Sequence, residues 1–256
     1  MSDTEGRHQA APEPATAATT PAPTPAAPSR PPVPVHREPH LLDRRQALAG
    51  ALVCAVIVAV LGFLVTRPWE PLVSLDRRID DALHPWAIDN RWALDVSLWL
   101  KTAGEFRACT ITVVITTVLL LVFRRWWVAL TVVLLSTFAP LITDRLKDVF
   151  ARERPSWPVA LSVESTYSYP SGHATAGIAV YAACGVALGS LLRNESLGAL
   201  VAFVGIAFGV AIGLSRLVLG VHWPSDVVGG WCVALAVAGV LTSLFVLPPP
   251  RDPTRR

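Results

Sequence analysis

The chain has 256 residues, of which 52% are hydrophobic and 16% charged, with a mean hydropathy of +0.48. Soluble domains carry about 25% charged residues, so this composition excludes an ordinary soluble globular protein and indicates an integral membrane protein. The net charge of +3 is small and no basic block is interleaved with aromatic residues, which argues against nucleic acid as a partner.

Residues 1–40 are rich in Ala, Pro and Thr and hold ten of the 22 prolines. Such a segment has too little apolar surface to offset its ordering entropy, so a disordered tail is expected. It is not expected to be a secretory leader, because the first apolar run begins only after Arg44 and Arg45.

Apolar runs approaching the roughly 20 residues of a membrane-crossing helix follow at 47–66, 108–123, 126–143, 174–192, 197–214 and 227–246. The second admits an earlier start near Trp92, which would turn Lys101, Glu105 and Arg107 toward protein or water. Between the first two runs, Leu75, Ile79 and Leu83 recur four apart among Asp76, Arg77, Arg78, Asp80 and Asp81. That pattern predicts an amphipathic helix lying flat on the membrane surface, with packing as its purpose. Pro248, Pro249 and Pro250 end the last run. The expected fold is all-α and integral to the membrane, with six transmembrane helices over 41–248. A cytoplasmic tail at 1–40 precedes them and a short basic tail at 249–256 follows. No internal repeat is visible.

Orientation follows from cations at the span ends. Arg44, Arg45, Arg124, Arg125, Arg193, Arg251, Arg255 and Arg256 fall on one side of a six-span chain, expected to be the cytoplasm together with both termini. Loops 67–91, 144–173 and 215–226 then lie outside, and every polar motif belongs to them. The active site is therefore expected at the outer membrane face. The four cysteines, Cys54, Cys109, Cys184 and Cys232, sit inside apolar runs without metal-ligand spacing and read as small hydrophobes.

Three polar patches, gathered on one face by this topology, carry the chemistry. Only Lys101 and Lys147 among the 22 Lys and Arg are lysine, so a compact point charge is singled out at Lys147. Lys147 and Arg154, the latter held extended by Pro155, are fixed cations suited to the equatorial oxygens of a transferring phosphoryl group. Arg145 and Arg152 read instead as cations snorkelling at the interface. In Pro170-Ser171-Gly172-His173, the proline marks a helix start whose N–H groups favour an anion. Ser171 can donate a hydroxyl or serve simply as a cap, Gly172 permits close approach, and His173 is placed to protonate a leaving alkoxide. Ser171 as a nucleophile is disfavoured, because adjacent residues at a helix start do not face each other. In the last patch Arg216 supplies a third cation. Asp226, just after Pro224, can reach back to His222, fixing one ring nitrogen and freeing the other as a nucleophile; a plain helix cap is the alternative.

The pattern formed by Lys147, Arg154-Pro155, Pro170-Ser171-Gly172-His173, Ser215-Arg216, His222 and Asp226 resembles the type 2 phosphatidic acid phosphatase family, within the superfamily shared with vanadium haloperoxidases. The resemblance covers about residues 70–245, and its motifs fall at about 140–230. It implies a metal-independent lipid phosphatase with no cofactor, working through a phosphohistidine. His222 would be the nucleophile, Asp226 its orienting carboxylate and His173 the general acid and base. Lys147, Arg154, Ser171, Gly172 and Arg216 would hold the phosphate, with the bilayer and a lipid phosphate as partners. Polyprenyl diphosphate, phosphatidylglycerol phosphate and phosphatidate are the candidate substrates, and loop 155–169 with Trp157, Glu164, Tyr167 and Tyr169 is expected to help choose among them. Phosphotransfer to another acceptor would use the same residues. A haloperoxidase is disfavoured by the membrane-embedded composition. A transporter or scaffold is disfavoured by charges confined to span ends and by the intact motif set.

Overall fold

The computed structural model describes residues 44–158 and 161–245. The expected tails at 1–40 and 249–256 lie outside the described residues. Among those described, every regular element is helical: α1 Arg44–Thr66, α2 Glu70–Asp89, α3 Arg91–Ala103, α4 Phe106–Val122, α5 Trp126–Phe150, α6 Gly172–Ala176, α7 Ala183–Gly189, α8 Glu195–Val218 and α9 Pro224–Phe245. A π-helical stretch, Gly177–Ala182, joins α6 to α7 in one rod.

Five helical units are long and apolar enough to cross a membrane: α1, α5, the α6–α7 rod, α8 and α9. The pair α3 and α4, bent by 59° where they meet, makes a sixth if counted as one span. The early start expected for the second run is therefore a separate helix. The bend sits at Gly104, whose N–H caps α3 on the carbonyls of Leu100 and Lys101. Large apolar side chains stand outward along these helices, Leu52 at 66% and Phe203 at 67% exposure among them. Apolar surface on that scale suits lipid rather than water, and the chain is a multi-pass membrane protein.

The helix α9 occupies the centre, against α1, α5 and α6, while α8 lies along the α6–α7 rod and α3. Small residues permit this closeness. A Cβ on Gly209 would lie 2.3 Å from the Gly177 carbonyl oxygen, and one on Gly205 would lie 2.7 Å from Gly185 Cα. Without a hydrophobic drive between helices in lipid, such backbone contacts are what bind them. The seam fixes α6, which carries His173, beside α8, which carries Arg216.

Two expectations shift. The α5 helix runs past the predicted end at 143 to Phe150, and its inward stripe of Ala139, Thr143 and Lys147 carries a lysine into the interior. In α2 the packed side carries polar residues: Asp76, Asp80 and His84 are buried beside Ala87, with Leu83 half-buried against Ala174, Leu217 and Val227, while Leu75 is 51% exposed. At a membrane surface the outer side of a helix can be apolar. Its inner side is free to be polar where charged partners wait, as Arg152 waits for Asp76.

Candidate active site

Each site residue is delivered by the end of a helix. The α5 helix stops at Ala151, whose left-handed backbone (φ 44°) turns the chain sharply after Lys147. The segment then runs extended through Arg152 and Arg154. Ser171 caps α6, its hydroxyl accepting the Ala174 N–H at 3.4 Å. Its own N–H donates to the Asp226 carbonyl at 3.0 Å, so the open end of the rod is left to the N–H groups of Gly172 and His173. After α8, Gly220 at φ +64° reverses the chain to present His222, and α9 begins in time to present Asp226.

His222 is 2% exposed. Its Nδ1 faces Asp226 Oδ2 at 3.4 Å and its Nε2 faces Arg154 Nη1 at 3.0 Å. A guanidinium cannot accept a hydrogen bond. Nε2 must therefore be the bare nitrogen and Nδ1 the protonated one, an assignment made from the hydrogen-bond network. Burial pushes the His222 imidazolium down to about 4, with Asp226 pulling partly the other way, so the ring is neutral near pH 7. Arg154 is itself held firmly by the carbonyls of Val221 at 2.7 Å, Thr166 at 2.7 Å and Tyr167 at 3.2 Å.

Lys147 Nζ donates to Thr166 Oγ1 at 3.1 Å and lies 3.6 Å from where a Cβ on Gly172 would stand. Arg216 is fully buried, and its Nη2 pairs with the Glu164 carboxylate, while Nε and Nη1 have no hydrogen-bond partner. The Nε2 of His173 is likewise buried without a partner. Orphaned buried polar groups are costly, and the two unpaired Arg216 nitrogens are spare donors of the kind an anion uses. Glu164 stays ionised: burial works against its charge, but Arg216 outweighs that and lowers its pKa. A cavity of ≈ 700 Å³ is lined by Lys147, Arg152, Arg154, Glu164, Thr166 and Tyr167 among others.

The structure thus brings Lys147, Arg154, Arg216, His222 and Asp226 into one locality, with Gly172 against Lys147 and His173 within electrostatic reach of Arg216 and His222. Chemically, the arrangement offers a neutral imidazole with one bare nitrogen, fixed cations around it and a second imidazole nearby. Among the described residues no three His, Cys, Asp or Glu side chains are placed to hold a metal ion.

Sequence reasoning missed several participants. Arg152, expected to snorkel, has a side chain only 9% exposed and ion pairs with both Asp226 at 2.6 Å and Asp76 at 2.7 Å. Its buried carboxylate partners outcompete the interface for the guanidinium. The available signal was its spacing, since residues two apart in an extended segment share a face and Arg154 was already placed. Ser168 donates to Asp226, and Thr166 ties Lys147 to Arg154. No sequence signal marked either.

Comparison with known proteins agrees with this geometry. Residues 125–247 match the model of the PAP2 superfamily. Phosphatidylglycerophosphatase B of Bacillus subtilis is 32% identical over 117 residues, 44% of this chain and 56% of that protein. An undecaprenyl-diphosphatase of Sulfolobus acidocaldarius is 33% identical over 121 residues, 45% of this chain and 54% of its own. A decaprenylphosphoryl-5-phosphoribose phosphatase of Mycobacterium tuberculosis is 32% identical over 102 residues, 39% and 51%. The chain spans about half the length of these relatives. The crystal structure of a transmembrane PAP2-type phosphatidylglycerolphosphate phosphatase from Bacillus subtilis superposes with a TM-score of 0.68 at 24% identity, covering 76% of this chain and 95% of that one. Motifs, fold and family model agree: residues 125–247 of this chain match the PAP2 superfamily.

Proposed function

We propose that this protein is a membrane lipid phosphate phosphatase that hydrolyses a phosphomonoester or diphosphate of a lipid through a phosphohistidine. The observation that carries the reading is the fixed tautomer of His222, with its bare Nε2 turned to Arg154 and its Nδ1 to Asp226. Nucleophilic catalysis needs that division of one imidazole.

In the proposed reaction the phosphoryl oxygens take up the spare donors of Arg216, the Lys147 ammonium and the N–H groups of Gly172 and His173. Arg154 exchanges its His222 contact for the phosphate. Nε2 attacks phosphorus, the phosphorus–oxygen bond to the lipid breaks, and His173 gives a proton to the departing oxygen. His173 then takes a proton from water, which attacks the phosphohistidine and releases orthophosphate and free His222. Asp226 holds Nδ1–H throughout and stabilises the charge the ring gains. Ser171 contributes as the cap that sets this helix start.

An apolar groove of ≈ 760 Å³ between α1, α5 and α9 supports a lipid substrate. Leu146 and Phe150 line it, on the helix whose Lys147 lines the polar cavity, so tail and phosphate sites adjoin. The names of the similar proteins refer to phosphatidylglycerophosphate, undecaprenyl diphosphate and decaprenylphosphoryl-5-phosphoribose, lipids with a phosphoryl group at the end or on a head-group sugar. We assign the substrate to that class. Residues 41–248 form the catalytic unit in this reading. The site faces outward and both termini face the cytoplasm, supported by Arg124, Arg125 and Arg193 at the opposite ends of the site-bearing helices.

The test is orthophosphate release from a panel of lipid phosphates by detergent-purified protein in EDTA, beside His222→Ala. Release by the wild type alone is expected. Activity that survives in His222→Ala removes the nucleophile assignment, and activity abolished by EDTA removes the metal-free mechanism. Transfer to an added alcohol in place of release would identify a phosphotransferase.

A further inference from the structure

Asp226 is fully buried and satisfied on every side. It accepts from Arg152 Nη1 at 2.6 Å, from the Trp223 N–H at 2.8 Å and from the Ser168 hydroxyl, and it faces His222 Nδ1 at 3.4 Å. The His222 contact is the longest of these and the easiest to lose. What keeps Arg152 in place is a residue far away in sequence. Asp76, on the peripheral helix α2 and 1% exposed, accepts from Arg152 Nη2 at 2.7 Å. It also accepts the Ser225 N–H at 3.0 Å and the Ser225 hydroxyl at 2.5 Å, while Arg152 Nη1 reaches Ser225 Oγ at 2.7 Å. Asp76 therefore grips both the cation bound to Asp226 and the residue preceding Asp226 in the chain.

We propose that Asp76 is a positioning residue for His222, acting through Arg152 and Ser225 on Asp226; the inference rests on the phosphatase reading above. Two physical arguments converge. A guanidinium shared between two carboxylates presents one N–H edge to each. Freed from Asp76, Arg152 can turn its whole fork onto Asp226 in the bidentate geometry it favours, drawing Oδ2 away from His222. The charge balance points the same way. Asp76 and Asp226 against Arg152 leave one net negative charge beside an imidazole that becomes cationic when Nε2 is phosphorylated with Nδ1–H retained. Neutralising Asp76 removes that excess from a site with no bulk water to replace it. Neither effect reaches Lys147, Arg154 or Arg216, which hold the phosphate.

The expected signature is a fall in kcat with KM unchanged. Replacing residues that orient a catalytic ligand from behind typically costs about 10- to 100-fold, and that is the loss expected for Asp76→Asn on a lipid phosphate. Because the geometric effect of Asp76 is relayed through Asp226, adding Asp76→Asn to Asp226→Asn should cost clearly less than Asp76→Asn costs in the wild type. A residue that merely stabilised the fold would give additive losses. Ser225→Ala, which removes one hydroxyl and no charge, should lower kcat by less, again at constant KM, and serves if Asp76→Asn does not fold. Normal kcat in Asp76→Asn, a loss confined to KM, additive losses in the double variant, or full activity in Ser225→Ala if Asp76→Asn does not fold overturns the inference. Activity abolished by His222→Ala but untouched by Asp76→Asn refutes this inference alone. Activity surviving His222→Ala refutes the phosphatase reading itself.

Discussion

Glu164 should compete with the substrate for Arg216, and Glu164→Gln exposes the competition. Arg216 is fully buried, and Glu164 is the carboxylate its guanidinium pairs with. A phosphoryl group entering among Lys147, Arg154 and Arg216 must displace that carboxylate. Two unit charges about 4 Å apart attract by about 4 kcal/mol at the effective dielectric of a partly wet site. Glu164 regains hydration when displaced, since its side chain is already 22% exposed. A net penalty of about 1.4 kcal/mol, or roughly tenfold in affinity, is therefore a fair expectation. In Glu164→Gln the amide cannot neutralise Arg216. The empty enzyme should then be less stable, as expected of a buried charge that loses its partner, and orthophosphate should bind more tightly. Two readouts follow: the inhibition constant of orthophosphate should fall about tenfold, and added orthophosphate should raise Tm more in the variant than in the wild type. An unchanged or weakened inhibition constant would refute the reasoning and make Glu164 part of the binding site rather than a competitor for it.

Other consequences are as direct. His222 is pushed down to about 4 and, as the proposed nucleophile, would have to be neutral to attack. The acid limb of kcat/KM should therefore lie near pH 4 rather than at the 6.5 of free histidine. Because the unfolded chain binds this proton more readily than the native one, His222 costs stability as pH is lowered from 6.5 to about 4, and Tm falling as pH falls through that window checks it. A Cβ on Gly209 would meet a backbone carbonyl at 2.3 Å, whereas one on Gly50 would meet nothing within 4 Å. Gly209→Ala should then cost about 1–3 kcal/mol by overpacking, read as lowered Tm and activity, and Gly50→Ala should not. Ala55 lines the apolar groove; Ala55→Phe should raise KM for long-chain lipid phosphates and spare short-chain analogues.

The parts of this molecule legible in its sequence were those written in short range. Apolar runs locate spans because the bilayer imposes one length on all of them. Pro170 and Pro224 lie at helix starts as expected, and His222 faces Asp226 because four residues in a helix start bring side chains together. Convergence of the patches followed from topology, since alternate loops of a six-span chain must share a side. The groups illegible in sequence act over long range. Arg152 meets Asp76 across 76 positions, and Arg216 meets Glu164 across 52. No local pattern encodes either pairing, so Arg152 read as an interfacial cation and Glu164 only as part of a loop expected to help choose the substrate.

The α2 helix shows why the error took that form. Periodicity separates two faces of a helix but does not say which faces inward; in water the apolar face does, because water is the outside solvent. The inward side of α2 is mixed: Asp76, Asp80 and His84 are buried and Leu83 is half-buried against Ala174, Leu217 and Val227, while Leu75 stands outward. At a lipid surface the preference loses its force, and the inward face is chosen by whichever partners the protein interior offers. Arg152 and the Ser225 N–H offer themselves to a carboxylate, and Asp76 turns in to meet them. Burying Asp80 beside it pushes that carboxyl up to about 7 by desolvation, with the Trp157 indole drawing it partly back, a penalty an apolar packing face would not incur. Buried polar residues on a surface helix therefore point to polar work beneath it, and in this protein what lies beneath is Asp226, the carboxylate that faces His222.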